Sequence, residues 1–210
     1  MRLPDHLEAL IFDLDGTLVD SEAEIVRSAI VAFERIGVCG VSPDTIHPHM
    51  GCPLEDLFVR FGGADQSAGR LARFVEAYRS SYEHDPGPGA LFDGVVEMLA
   101  SLGGYPKAVA TTKPTWSAEK ILASVGLDGV FDLVQGTDAM PPKPDPAVLL
   151  EAARRLGVPA GRCAMIGDTG RDIQAARAAG MYAVAVTWGG WSRARLEALR
   201  PDAIWTRPPR

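Results

Sequence analysis

The chain predicts an α/β fold: a doubly wound parallel sheet with a small helical domain inserted after its first strand. Three observations carry this. Short apolar runs recur as ALIFDL (9–14), KAVAT (107–111), FDLVQG (131–136), CAMIG (163–167), YAVAVT (182–187) and a brief AIW (203–205). Continuous apolar runs of this length suit strands covered on both faces, as in a parallel sheet. Helical patterns alternate with the runs, which predicts right-handed βαβ units. Between about residues 22 and 85 the alternation stops and only amphipathic helical segments remain.

Each element has its own signals. GVVEMLASL (94–102) is a helix; SAEKILASVG (117–126) is another, with Ser117 as its cap and Gly126 as its stop. DPAVLLEAARRLG (145–157), with Asp145 as N-cap, and RDIQAARAAG (171–180) repeat the scheme. In EIVRSAIVAFERIG, residues Ile25, Ala29, Ala32, Phe33 and Ile36 share a face at helical spacing. LEDLFVRFGG and RLARFVEAYRSSYEH read the same way, and DPGPGALFDG (85–94) reads as a Pro/Gly-rich linker. Residues 1–18 and 87–210 are therefore expected to form the α/β core, and residues 19–86 the helical insert.

The 210 residues are 47% hydrophobic and 23% charged, the balance of an ordinary globular protein. A net charge of −6 argues against nucleic acid as a partner. No apolar run approaches the roughly 18 residues of a membrane span, and MRLPDHLEAL lacks the apolar stretch of a signal peptide. Cys39, Cys52 and Cys163 are scattered, with no CxxC, so each is expected to be a free buried thiol in a reducing cytoplasm.

Ligands of open α/β sheets bind at the carboxyl ends of strands. Four motifs fall at such ends: DLDGT (13–17), TTK (111–113), PPKPDP (141–146) and GDTGRD (167–172). They supply Asp13, Asp15, Asp168 and Asp172, with Lys113, Lys143 and the hydroxyls of Thr17, Thr111 and Thr112. Four acids in one cleft repel each other unless a cation joins them. Carboxylate oxygens suit a hard ion, Mg²⁺ being the usual one beside phosphate. Lysine and threonine donors next to that ion make a phosphate cradle.

The ordered set of four motifs resembles the haloacid dehalogenase superfamily over residues 9 to about 190. LFDGVVEML, AVATTKP, ILASVGLDGVFD, KPDP and GMYAVAVTWG look like its phosphoglycolate phosphatase-like branch. The resemblance implies a Rossmann-like core, a mobile helical cap and hydrolysis of a small phosphorylated molecule with Mg²⁺. Asp13 would be the nucleophile that becomes an aspartyl phosphate, and Asp15 the acid for the leaving alcohol and then the base for water. Gly16 would allow the tight turn, and Thr17 would help hold Asp15. Thr111 and the Thr112 N–H would bind phosphoryl oxygens, and Lys143 would neutralise phosphoryl charge and hold Asp13. Asp13, the Asp15 carbonyl and Asp168 would ligate the metal, with Asp172 a further ligand or a partner behind it. Asp15 also argues for phosphate over haloacid substrates, since carbon–halogen cleavage leaves no alcohol to protonate.

Lys113 faces cap and substrate on one reading and forms a structural salt bridge on another. The loop IHPHMGCPLEDLF (46–58) aligns with the cap loop that faces the active site in similar proteins, which makes His49 and Gly51 candidates for substrate contact, with His47 and Met50 beside them. The His47/His49 pair has no third ligand near in sequence, so a loop role is favoured over metal. Arg27 and Arg60 read as solvated helix residues before carboxylate binders. Trp188 and Trp191 sit either at the cleft mouth or in the core. Beside a phosphoglycolate-type phosphatase stand a 5′-nucleotidase-like phosphatase, a β-phosphoglucomutase-type mutase, a pyrophosphatase and, outside enzymes, a phospho-receiver module. A monomer and a homodimer fit equally.

Overall fold

Six of the apolar runs become strands of one sheet. In chain order the strands are β1 (Ala9–Phe12), β2 (Val19–Asp20), β3 (Ala90–Leu91), β4 (Lys107–Ala110), β5 (Leu133–Gln135), β6 (Cys163–Gly167), β7 (Tyr182–Val186) and β8 (Ala203–Trp205). The structure, a computed structural model, describes residues 3–84 and 89–209. The sheet runs β5-β4-β1-β6-β7-β8 and is parallel throughout. Ile11 of β1 stands between Ala108 of β4 and Met165 of β6, so β1 is central. The chain builds outward to β5 on one side of β1, then returns to build β6 to β8 on the other. That reversal is the topological switch at which open α/β sheets bind ligands, and Asp13 follows β1 directly.

The chain divides into two units, Met1–Asp20 with Gly89–Arg210, and Ser21–Pro88. The second unit is helical: α1 (Glu22–Arg35), α2 (Pro43–Ile46), a 3₁₀ turn at His47–His49, α3 (Leu54–Phe61) and α4 (Ala68–His84). Ala29, Ala32 and Phe33 of α1 are buried with Phe58 of α3 and Phe74 of α4, the rings of Phe33 and Phe74 lying 4.5 Å apart. Ile25 is half-buried, whereas Val26 beside it is buried. Arg70 donates to the Ile36 carbonyl at 2.9 Å, satisfying one of the acceptors that a helix C-terminus leaves open.

The first unit adds α5 (Val95–Ser101), α6 (Thr115–Ser124), α7 (Ala147–Leu156), α8 (Gly170–Ala178) and α9 (Arg193–Ala198). Alternate strand residues face opposite ways. Ala9 and Ile11 join one buried cluster with Val148 and Leu149 of α7, Ile173 of α8 and Leu196 of α9.

Several local expectations are corrected. Helix α6 starts at Thr115, not Ser117, because Asp138 accepts from both the Thr115 N–H and its hydroxyl. Pro146, not Asp145, is the N-cap residue of α7, although the Asp145 carboxylate accepts from the Ala147 N–H at 2.9 Å. The antiparallel pair β2–β3, which closes the two chain crossings of the insert, had no sequence signal. Of the cysteines only Cys163 is buried; Cys39 is exposed and Cys52 half-buried. Residues 85–88 of the expected linker, with the expected boundary at 86/87, lie outside the described residues. Among the described residues no helix is long and apolar enough to cross a membrane.

Candidate active site

Asp13 leaves β1 with its N–H bonded to the Ile166 carbonyl of β6, which aims its side chain off the strand end. There its Oδ1 lies 2.8 Å from Lys143 Nζ. The same ammonium is 2.6 Å from Asp172 Oδ1 and donates to the Ala110 carbonyl at 3.1 Å. An ammonium has three protons to give, and all are used, so Lys143 is fixed although it is only 2% exposed. Burial alone would pull this ammonium down, but the Asp13 and Asp172 carboxylates overcome it and hold it above its ordinary value.

Asp168, at the end of β6, accepts from the Thr17 hydroxyl at 3.2 Å and from the Gly190 N–H at 2.8 Å. Asp172 sits in the first turn of α8, where its Oδ2 accepts from the Thr169 N–H at 3.0 Å and the Thr169 hydroxyl at 2.7 Å. Asp13, Asp168 and Asp172 each bring one carboxylate oxygen within 4.8 Å of the others, and all three are buried. Burial, the largest effect, pushes Asp13 up to about 7, with Lys143 drawing it back and Asp172 adding repulsion. Asp168 is pushed well above the usual carboxylate range by burial and then by its two acidic neighbours.

Three buried acids against one buried lysine leave surplus negative charge on an all-oxygen donor set, which fits a hard divalent cation. Without a cation, stability must respond to pH. A carboxyl whose value rises on folding binds its proton more tightly when folded. The contribution of Asp13 is therefore flat below its ordinary 3.8, falls as pH rises toward about 7, and is flat again above. Thermal melts of the chelator-treated protein should show this decline between about pH 5 and about pH 7, and added Mg²⁺ should remove it.

The remaining expected residues are placed as follows. Asp15 Oδ2 pairs with Lys113 Nζ at 3.1 Å, which sets Lys113 beside the expected acid. Gly16 has φ +75°, and a methyl there would run into the Asp168 carboxylate, so the turn requires glycine on both counts. The Thr17 hydroxyl gives its single proton to Asp168. Thr111 is buried; its Oγ1 accepts from the Lys113 N–H at 3.2 Å, and its own N–H donates to the Gln135 carbonyl of β5. The Thr112 carbonyl accepts from the Thr137 hydroxyl. Trp188 donates to the Thr17 carbonyl at 3.0 Å, whereas Trp191 packs on the core beneath the Arg195 guanidinium, 3.7 Å from its ring centre.

In the helical unit, His49 sets its ring edge-on to Phe61 at 5.3 Å, and Gly51 has φ +80°. His47 pairs with Glu22 at 3.3 Å. Arg27 and Arg60 are exposed on α1 and α3.

Sequence reasoning missed Thr169, Gly189 and Gly190. A side chain on Gly189 would strike both the Gly16 carbonyl and Asp168, and the Gly190 N–H holds Asp168. The glycine doublet in TWGGW was the available signal, since paired glycines mark close backbone approach.

Comparison with known proteins agrees with this geometry. Residues 10–186 match the model of the haloacid dehalogenase-like hydrolases. The chain is 40% identical over 201 residues to "Probable phosphatase IndB" of Dickeya dadantii, covering 93% of this chain and 87% of that protein. It is 32% identical over 212 residues to the phosphoglycolate phosphatase of Neisseria meningitidis serogroup A, covering 95% and 90%. A solved haloacid dehalogenase-like hydrolase from Streptococcus pneumoniae superposes with a TM-score of 0.87 at 31% identity, covering 97% of this chain and 95% of that one. An acid cluster at the switch point of a parallel sheet, bridged by one buried lysine and matched over most of its length, places the chain in the haloacid dehalogenase-like hydrolase family.

Proposed function

We propose that this haloacid dehalogenase-like phosphatase hydrolyses a small phosphomonoester of the 2-phosphoglycolate kind, in the cytoplasm, through an aspartyl phosphate on Asp13. The observation that carries this reading is the Asp13–Lys143–Asp172 bridge beside Asp168 at the end of β1. Relatives named phosphatase and phosphoglycolate phosphatase support the substrate class.

The steps follow from the residues. A carboxylate oxygen of Asp13, oriented by Lys143, attacks phosphorus, and the bond from phosphorus to the ester oxygen breaks. Asp15, which pairs with Lys113 before substrate arrives, exchanges that contact for a proton from solvent as substrate binds and gives the proton to the departing alkoxide. Asp15, now ionised, takes a proton from water, which attacks the phosphorus of the acyl phosphate. Orthophosphate leaves, and the Asp13 carboxylate is restored. The Thr111 hydroxyl and the Thr112 N–H bind the non-bridging oxygens, and Lys143 offsets part of their charge. Mg²⁺ held by Asp13, Asp168 and the Asp15 carbonyl, with Asp172 beside them, would offset the repulsion between anionic nucleophile and anionic phosphoryl group. His49 and Gly51 are proposed to contact the leaving group.

The test is phosphate release with Mg²⁺ from 2-phosphoglycolate, nucleoside monophosphates, sugar phosphates and pyrophosphate. We expect kcat/KM for 2-phosphoglycolate to exceed the others by about tenfold or more, the scale of one well-made polar contact. Excess EDTA should abolish turnover, and added Mg²⁺ should restore it. Undiminished activity in EDTA would remove the metal from the reading, and a preference for nucleotides would move the substrate to the nucleotidase class.

A further inference from the structure

The segment 111–114, which leads into α6, carries the proposed phosphate donors, yet it is a loop, and loops place side chains less firmly than strands do. Here the loop is bound along its length to the turn that follows β5. The Thr111 N–H donates to the Gln135 carbonyl at 3.1 Å, and the Thr137 N–H donates to the Lys113 carbonyl at 3.0 Å. The Thr137 hydroxyl donates to the Thr112 carbonyl at 2.7 Å. The Gly136 N–H donates to the Thr115 hydroxyl oxygen at 2.9 Å, and that hydroxyl donates to Asp138. A side chain on Gly136 would strike the Thr115 nitrogen and the Lys113 carbonyl, so the two segments run in contact.

One of these bonds has a direct path to the reacting phosphoryl group. In a trans peptide the C=O and N–H point in opposite directions. Drawing the Thr112 carbonyl toward Thr137 therefore turns the N–H of the same peptide, that of Lys113, the other way. That N–H donates to the Thr111 Oγ1 at 3.2 Å. A hydroxyl has one proton and two lone pairs. With one lone pair engaged by Lys113, the Thr111 proton is directed elsewhere and is available to a phosphoryl oxygen.

We infer that Thr137 is a positioning residue for phosphate binding: its hydroxyl sets the Thr112–Lys113 peptide plane, and that plane sets the direction in which the Thr111 hydroxyl donates. This rests on the phosphatase reading, which assigns Thr111 to the phosphoryl group. Thr137 is itself half-buried, and its hydroxyl is spent on the Thr112 carbonyl. Asp138 supports the same loop from its other end. Its carboxyl is held below the usual range by the Thr115 hydroxyl and N–H bonds, as a firmly made pair requires.

The experiment compares Thr137→Val, which keeps the shape and removes the hydroxyl, with Thr137→Ser, which restores it. Binding of inorganic phosphate in the presence of Mg²⁺ is measured by calorimetry, alongside steady-state kinetics and thermal melts. Thr137→Val should weaken phosphate binding and raise KM by about five- to tenfold, the scale of one misdirected hydrogen bond. Its melting temperature should stay close to wild type, and Thr137→Ser should bind phosphate within about twofold of wild type. Thr137→Ala, which makes no steric demand, takes the place of the valine variant if that one does not fold. Equal phosphate affinity in wild type and the hydroxyl-free variant would overturn the inference, as would failure of serine to restore a loss. If wild type binds phosphate but releases none from any ester, the phosphatase reading falls alone. The ratio of affinities between variant and wild type then decides this inference on the same terms.

Discussion

Replacing Asp13 by asparagine should abolish phosphate release, by at least about 10⁴-fold, the scale seen when a covalent nucleophile is removed. An amide oxygen does not form the acyl phosphate, so no later step can begin. The chain should nevertheless fold. Lys143 keeps two of its three partners, Asp172 and the Ala110 carbonyl. Burial already pushes the Asp13 carboxyl up to about 7, so an uncharged group of the same shape suits the site. Melting temperatures of the variant and wild type, measured beside turnover, check both halves. Retained turnover would refute the nucleophile assignment; lost folding would refute the account of the Lys143 bridge.

The second large effect belongs to Lys143. Substituting methionine keeps most of the volume and removes the charge that joins Asp13 to Asp172. Breaking a buried ion pair from one side costs about 3–5 kcal/mol, because the charges left behind are desolvated and unpaired. For a chain of this size that is a fall of roughly 10 °C in melting temperature. Turnover should fall by about 10²- to 10³-fold, as for other buried donors that face a developing charge. The lysine also draws Asp13 downward, so its removal raises that carboxyl further and leaves less of the nucleophile ionised at neutral pH. Mg²⁺ should recover part of the lost melting temperature, since it binds the same acids. A variant that melts like wild type without metal would show that the bridge does not hold the site.

Much of this was legible in the chain. The ends of β1, β4 and β6 could be read because each is an apolar run followed at once by a candidate site residue. Asp13, Thr111 and Asp168 each follow such a run directly. Asp172 could be read as well, because it follows Asp168 by one turn in the GD-x-x-x-D motif and falls in the first turn of α8.

What could not be read shares one cause. The Thr17 hydroxyl donates to Asp168, 151 residues away, a partner its neighbours in sequence do not announce. Ser117 looked like a helix cap, but Asp138 moves the start of α6 to Thr115 from 23 residues downstream. The pair β2–β3 is two residues on each side, too short for any alternation to register. Lys113, just after β4, meets Asp15, just after β1, at 3.1 Å, a partner 98 residues away.

Chemistry confined to one strand end and its adjoining turn was thus decided by the sequence alone: which residues are the acids and the lysine, and that they lie at the carboxyl edge of a parallel sheet. The tertiary structure decided which donor meets which acceptor. It joined Lys143 to Asp13 and Asp172, set Gly190 on Asp168, and tied residues 111–115 to Thr137 and Asp138. The physical reason is the directionality of the bonds. Hydrophobic periodicity is a property of neighbours along the chain, whereas a hydrogen bond between distant segments exists only when the whole sheet has brought both atoms within about 3 Å.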